Sequence, residues 1–368
     1  MNLEVKVVLL ARFPSTKAYG VNTSHTLSAI RELGNGVEIL SPTTLVESEY
    51  IGKSIKSILR FLIFYYTKNF YFSKIAFLLN SFFFLFLVKR LSKKWASETI
   101  VWSRSFLAVI MLPKRFRYFV EIHRISRGLK ALRFLQRRRS IKLGAISLPL
   151  LDWLEKNLSK LSRIYCPMAI PESFLFTPSR KEEFVLGYFG SMKSSGQDQG
   201  VLTLLRQICS LSNEQFDGQI ILGGIGKSGV EECSQVILKS KWKNRVTLID
   251  HILHDEIPAY LSRCSALVLP FRSTEYHRVS YPIKALEYAS SRKPIIAGET
   301  EDIVNIFGHN SVWYYDGSIE SFLSAFQQIK DNNDIFSSKL EAAFNMARDN
   351  TYLLRTKRIL EAINSIRF

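Results

Sequence analysis

Residues 279–297 read VSYPIKALEYASSRKPIIA and follow the apolar run ALVLPF at positions 266–271. The apolar run predicts a buried strand, and the next residues predict a polar loop and then a helix that begins at Ser280 and Pro282. Ser or Tyr as the N-cap and Pro in the first turn are typical of helix starts. The run PIIA at 294–297 predicts a second strand, so the segment has the strand–helix–strand order of an α/β protein.

The start of this helix predicts an anion site. Free backbone N–H groups and the positive end of the helix dipole point into the loop, where a phosphate can lie. Lys284 and Glu287 are three residues apart and therefore share a face of the helix. A cation beside the phosphates and a carboxylate that accepts sugar hydroxyls are the groups that a nucleotide-sugar site needs.

The pattern YPxKxxEYxS at 281–290, followed by RKPIIA at 292–297, resembles the donor-site signature of the retaining family-4 glycosyltransferases of GT-B fold, glycosyl transferases group 1. The resemblance implies that Glu287 holds the ribose of the nucleotide. In the family an acidic residue eight positions earlier contacts the transferred sugar, and Val279 stands there in this chain. The residues that could replace it lie in the same loop: Glu275, Tyr276, His277 and Arg278.

The resemblance covers the C-terminal half, where LGYFGS at 186–191, ILGGIG at 221–226 and the segment 246–261 keep the family's order. The family usually has an Arg after the glycine that is Gly190 here and a Lys a few positions later, and both stabilise the diphosphate leaving group. Ser191 and Ser195 occupy those positions. We expect Lys193 to replace them, with help from Lys284 and Arg278.

Further site residues follow from the same resemblance. His251 and Ile252 stand where the family holds the base, and His123 stands where it faces the donor sugar, although a His at a strand end is as often merely hydrogen-bonded. We expect Glu121 to point to the opposite face from His123. Gly20 could let the first loop approach the diphosphate, and a helix-entry glycine explains it nearly as well.

Together these motifs give one predicted site. The predicted catalytic residues are His123, Lys193, Lys284 and Glu287. The predicted donor contacts are Gly20, Gly190, Ser191, His251, Ile252, Arg278, Ser280, Tyr281, Pro282 and Ile283. No Asp-x-Asp motif follows a strand, so we expect no metal and no cofactor beyond a donor substrate such as a UDP- or GDP-sugar.

The length of 368 residues predicts two domains. We expect a GT-B fold, in which two doubly wound, Rossmann-like α/β domains face each other across a cleft. Residues 1–175 would form the acceptor-side domain and 176–349 the donor domain, joined near a Pro-containing stretch at 166–180. By resemblance, the helix within 350–368 crosses back to the N-terminal domain.

Charge is distributed unevenly along the chain. Residues 1–178 carry 28 Lys and Arg against 10 Asp and Glu, whereas the remainder carries 22 of each. No acidic residue lies between Glu49 and Glu98, and the basic, aromatic segment 50–97 predicts a surface that binds anionic lipid. Two core helices with solvated faces are the alternative. The apolar run at 75–88 is too short to span a bilayer, and no nucleic-acid module is recognisable.

The resemblance implies a retaining glycosyltransferase, and together with the basic, aromatic segment it leads us to expect a lipid-linked or cell-surface polysaccharide acceptor. Four cysteines without metal or disulfide spacing indicate a cytoplasmic protein, here peripheral to the inner face of the plasma membrane. Because Ser191 and Ser195 lack the usual charges, the alternative is an inert protein of GT-B fold. Such a protein would be the membrane-bound partner of another glycosyltransferase.

Overall fold

The computed structural model describes residues 3–11, 13–15, 18–49, 55–57, 59, 73–125, 140–175, 183–194, 196–275, 277–331 and 335–365. The chain forms two compact units. The first contains Met1–Pro167 together with Tyr352–Phe368, and the second contains Met168–Thr351. The first boundary falls within the Pro-containing stretch at 166–180, and the C-terminal helix belongs to the unit built from the N-terminal residues.

The first unit is built on a parallel six-stranded sheet with the order β2-β1-β3-β4-β5-β6. Its strands are β1 (Glu4–Val8), β2 (Gly36–Leu40), β3 (Ile100–Ser103), β4 (Arg117–Ile122), β5 (Ile141–Ala145) and β6 (Ser162–Tyr165). Its helices are α1 (Ala18–Glu32), α2 (Pro42–Glu47), α3 (Ser73–Leu91), α4 (Phe106–Met111), α5 (Leu148–Asn157) and the C-terminal helix, numbered α13 below (Tyr352–Asn364).

The C-terminal helix shares a core with the first sheet. Val5 and Val7 of β1, Trp102 of β3, and Ile359 and Ile363 of the helix belong to one buried cluster. Continuous burial from Val5 to Val8 of β1 and along β3 is what a parallel strand covered on both faces requires. The last segment of the chain is therefore a structural part of the first unit.

The second unit also contains a parallel six-stranded sheet, with the order β11-β10-β7-β12-β13-β14. Its strands are β7 (Val185–Phe189), β10 (Gln219–Gly223), β11 (Val246–Ile249), β12 (Ala266–Leu269), β13 (Ile295–Gly298) and β14 (Trp313–Tyr315), and β8 (Lys193–Ser194) pairs with β9 (Gln197–Asp198) in a short hairpin. Its helices are α6 (Val201–Cys209), α7 (Gly226–Leu238), α8 (Ile257–Ser262), α9 (Ile283–Ala289), α10 (Glu301–Phe307), α11 (Ile319–Asp331) and α12 (Ile335–Arg348).

Aromatic side chains dominate the core of the second unit. Tyr188, Phe216, Trp242 and Phe322 are almost completely buried, and the rings of Phe216 and Trp242 lie 5.6 Å apart. The two all-parallel sheets with covering helices confirm the predicted α/β class with two doubly wound units. Within the part of the chain that the structure describes, no helix has both the length and the apolar character needed to cross a bilayer.

Candidate functional site

The signature segment folds into the predicted strand, loop and helix, but the helix begins later than predicted. Helix α9 starts at Ile283, with Pro282 at the N-cap position and no side-chain cap. Ser280 does not cap the helix because its hydroxyl donates to Oδ2 of the buried Asp302 at 2.6 Å. The predicted start at Ser280 is therefore wrong, and this hydroxyl instead fastens the loop to α10. Tyr276 of the same loop lies outside the described residues.

Lys284 lies directly against the turn that follows β7. Its Nζ donates to the hydroxyl of Tyr188 at 2.8 Å and lies 3.4 Å from the carbonyl oxygen of Ser191. A Cβ atom on Gly190 would approach Cε of Lys284 to 2.0 Å, so a side chain at this position would displace the flexible end of the lysine. Burial lowers the pKa of Lys284 to about 8. The structure thus brings Gly190, Ser191 and Lys284 together, whereas Ser195 lies outside the described residues.

Helix α9 also fixes the backbone of this turn. The hydroxyl of Tyr288 accepts a hydrogen bond from the backbone N–H of Phe189 at 2.6 Å and lies 3.2 Å from the carbonyl oxygen of the same residue. The N–H of Gly190 donates to the carbonyl oxygen of Gly223 at 2.7 Å. Because both partners are buried, the turn is held on one side by α9 and on the other by β10.

Glu287, one turn beyond Lys284, is buried and paired. Its side chain is 5% exposed, and its Oε1 lies 2.9 Å from Nε2 of His254. The His254 ring also packs against Phe174, with ring centroids 4.9 Å apart. Burial lowers the pKa of His254, but the hydrogen bond and the charge of Glu287 outweigh it and raise that pKa overall.

Sequence reasoning missed His254. The residue lies in the short turn His254–Glu256 after β11, three positions beyond the predicted His251. His251 is exposed, whereas the side chain of Ile252 packs over Gly223, where an added Cβ would lie 2.5 Å from its Cδ1. No spacing rule distinguishes the two histidines, because the contact with Glu287 joins residues 33 positions apart.

Two of the remaining predicted site residues, Lys193 and Arg278, are exposed cations. Lys193 is exposed in strand β8. Arg278 is exposed and forms ion pairs of 3.4 Å with Glu275 and 3.8 Å with Glu301. Tyr281 is buried. The structure therefore places Lys193, the predicted replacement for the missing cations, and Arg278, one of its predicted helpers, on elements other than the helix that carries Lys284.

In the first unit, a buried ionic cluster surrounds the predicted His123. Glu121 is 3% exposed, and its Oε1 lies 2.7 Å from Nε2 of His123 and 3.0 Å from Nη2 of Arg355. Trp102 donates its indole N–H to the other oxygen at 3.2 Å, and Arg104 lies 3.6 Å from Oε1. The expectation that Glu121 and His123 point to opposite faces is wrong, because residues two apart in an extended chain share a side.

This cluster sets the protonation state of His123. Burial raises the pKa of Glu121, but Arg355, Arg104 and His123 together hold it well below its usual range. Burial and the charge of Arg104 lower the pKa of His123. A neutral imidazole beside an ionised carboxylate donates from Nε2, so Nδ1 is left as a hydrogen-bond acceptor. A half-buried neutral acceptor of this kind can bind a sugar hydroxyl.

Gly20 has a packing role in the first unit. It lies in α1, and a Cβ atom there would approach the carbonyl oxygen of Ser15 to 2.1 Å. The glycine therefore allows the loop before α1 to fold closely onto the helix. This close approach accounts for the glycine within the first unit itself.

Comparison with known proteins identifies the second unit. Residues 183–332 match the family model described as Glycosyl transferases group 1. None of the curated proteins matches the sequence. The match covers β7 to α11 and therefore includes the turn at Gly190, the pair of Glu287 and His254, and helix α9.

Solved structures match the chain over almost its full length. A glycosyltransferase from Rickettsia africae is 14% identical with a TM-score of 0.69, covering 99% of this chain and 98% of that one. Sucrose-phosphate synthase from Thermosynechococcus elongatus is 12% identical with a TM-score of 0.68, covering 98% of each chain. Anabaena HepE in complex with UDP is 12% identical with a TM-score of 0.66, covering 99% of this chain and 100% of that one. At such identities the likeness establishes the fold, so the chain has the GT-B fold, and its residues 183–332 match the model of the group 1 glycosyltransferases.

Proposed function

We propose that the protein transfers a sugar, with retention, from a nucleotide-sugar donor to a lipid-linked or cell-surface polysaccharide acceptor. The observation that carries the proposal is the contact between Lys284 and the Gly190 turn, inside a domain that matches the glycosyltransferase family. A nucleoside diphosphate on this turn would lie beside the ammonium group, which stabilises the charge that develops on the leaving group. The complex of HepE with UDP supports a UDP-sugar as the first donor to test.

Glu287 is the proposed ribose ligand, held by His254. The hydrogen bond at 2.9 Å fixes the orientation of a carboxylate that is otherwise buried. Since the Glu287 side chain is only 5% exposed, a ribose must either share the carboxylate with His254 or displace the imidazole. His123 is the proposed contact to the transferred sugar, with Nδ1 as acceptor. The acceptor hydroxyl would attack the face from which the diphosphate leaves.

The test is nucleotide release from candidate donors. Purified protein with a lipid extract as acceptor should release the nucleoside diphosphate from at least one UDP- or GDP-sugar, and NMR of the product should show the donor's anomeric configuration. Glu287→Gln should lower the rate at least about a hundredfold, as expected for loss of a buried charged contact to the donor. Glu320→Gln, an exposed change on α11, serves as the matched control.

The alternative function is that of an inert partner of another glycosyltransferase. Ser191 favours it, because the exposed serine supplies no positive charge where the family usually has an arginine. Release of no nucleotide from any donor, with Glu287→Gln indistinguishable from the unmodified chain, would support the inert partner and refute sugar transfer.

A further inference from the structure

Helix α3 presents an unusual outward face. Phe84 and Leu85 are fully buried, which fixes the side of the helix that packs on the first unit. The opposite side is apolar as well, although water normally selects polar residues there. Its four large side chains are all about half exposed: Leu78 47%, Leu79 57%, Phe82 46% and Phe86 51%.

These four residues form one stripe that leads into a basic turn. At about 100° per residue, Leu78, Phe82, Phe86 and Leu79 fall within an arc of roughly 100° around the helix axis. Lys89 and Arg90 continue the same arc within about 20° of its edges, and both are exposed. The exposed Lys93 and Lys94 follow in the short turn Ser92–Lys94. The outward face is therefore apolar over its first turns and strongly basic at its C-terminal end.

The charges around the helix indicate what covers this face. No acidic residue occurs between Glu49 and Glu98, so nothing in that stretch of sequence balances the basic turn. A second copy of the chain in parallel orientation would oppose its own basic turn, and one in antiparallel orientation would set basic groups on the apolar stripe. A bilayer surface supplies acyl chains and anionic phosphates at different depths, which matches both parts of the face.

We propose that the outward face of α3 docks on an anionic bilayer, with Leu78, Leu79, Phe82 and Phe86 in the acyl-chain boundary and the basic turn at the lipid phosphates. The helix lies in the interface, in keeping with the absence of a spanning helix in the described part of the chain. The proposal deepens the proposed function, on which it rests for its purpose: it names the surface that brings the donor domain to a lipid-linked acceptor.

Vesicle sedimentation tests the surface directly. The full-length protein should bind phosphatidylcholine vesicles that contain about one third phosphatidylglycerol, and bind pure phosphatidylcholine vesicles weakly. The double change Leu79→Glu with Phe82→Glu should reduce binding at least about tenfold, because it places charge in the acyl-chain boundary. Leu238→Glu, at a residue of α7 that is 67% exposed, is the matched control and should bind like the unmodified chain.

Insertion is tested separately from attraction. The tryptophan fluorescence of the Phe86→Trp variant should be quenched by phosphatidylglycerol vesicles with brominated acyl chains. The proposal places the ring of residue 86 among those chains. Vesicle binding that falls with added salt but persists in the double variant, with no quenching, would overturn the proposal in favour of a purely electrostatic contact. A dimer that the double variant abolishes would overturn it in favour of a second copy.

The experiment also separates this proposal from the function. If the protein transferred sugar to a water-soluble acceptor but did not bind vesicles, the proposed lipid-binding surface would be refuted and the proposed transferase function would stand. If the protein bound vesicles but released no nucleotide from any donor, the proposed surface would stand and the proposed transferase function would be refuted.

Discussion

Lys284 is the residue whose charge state matters most to the proposed diphosphate site. Its pKa of about 8 means that the ammonium group is present below pH 8 and is lost above it. A bound diphosphate favours the charged form and raises this pKa, so binding above pH 8 takes up a proton. We predict that UDP affinity, measured by calorimetry, falls by up to about tenfold per pH unit above pH 8.

The variant Lys284→Met supplies the control for this dependence. It should weaken UDP binding near neutral pH and give an affinity that no longer changes between about pH 8 and pH 10. A variant that kept the same decline in affinity would show that another group titrates, and Lys284 would lose its assigned role.

Alanine variants of Gly190 and Gly196 distinguish the effect of backbone strain from the effect of displacing Lys284. Both have positive φ, +139° and +83°, so alanine at either position costs about 1–3 kcal/mol of strain. An added Cβ meets Lys284 at Gly190, whereas nothing lies within 4 Å of it at Gly196. We predict that both alanine variants lower the melting temperature similarly, and that only Gly190→Ala weakens UDP binding, by about tenfold. Equal affinities in the two variants would contradict the proposed position of the diphosphate.

At the scale of elements, helix α13 is attached to the first sheet by a buried ion pair. Arg355 is 5% exposed, contacts Glu121 at 3.0 Å and donates its Nε–H to the carbonyl oxygen of Pro167 at 2.6 Å. Removing the arginine leaves a buried carboxylate without its main partner. We predict that Arg355→Met lowers the free energy of unfolding by about 3–5 kcal/mol in urea denaturation. The exposed control Lys357→Met should change it by less than about 0.5 kcal/mol.

The pH dependence of this pair has a definite sign. The folded-state pKa of Glu121 lies well below its usual value, so its stabilisation is present at neutral pH and is lost as the pH falls toward the folded-state pKa. Adding Glu121→Gln to Arg355→Met should recover part of the loss, because the uncompensated charge is removed. If the double variant were less stable than Arg355→Met, the ion pair would not be the reason that α13 stays attached.

At the scale of the whole molecule, the two units differ in how the chain builds them. The second is one continuous segment, Met168–Thr351, with its own aromatic core and with all the proposed donor residues except Gly20 and His123. We predict that this segment, expressed alone, unfolds cooperatively and gains thermal stability from UDP. The segment 1–167 alone should fail to fold, since it lacks the buried residues of α13. Circular dichroism and thermal denaturation check both outcomes.

Local pattern accounts for much of what was predicted. Continuous apolar runs predicted β7, β10 and β12, because a strand buried on both faces leaves a sequence signal of its own. The signature that contains Lys284 and Glu287 could be recognised from the sequence because its residues are close together in the chain and lie on one short helix. The capping role of Ser280 was mispredicted, since its hydroxyl is used by Asp302, 22 positions later. The charge pattern predicts a lipid-binding surface within the segment 50–97. The exposure of the α3 side chains restricts the proposed surface to one face of that helix.

The amino-acid sequence by itself determined the α/β class, the order of the elements and the helix that carries Lys284 and Glu287, because burial periodicity and short motifs act between near neighbours. Only the tertiary structure decided which groups meet. The contacts of Lys284 with Tyr188, Glu287 with His254 and Glu121 with Arg355 join residues 96, 33 and 234 positions apart. The protonation of these groups follows from burial and from the charges they meet, and neither exists until the strands pair and the sheets are covered.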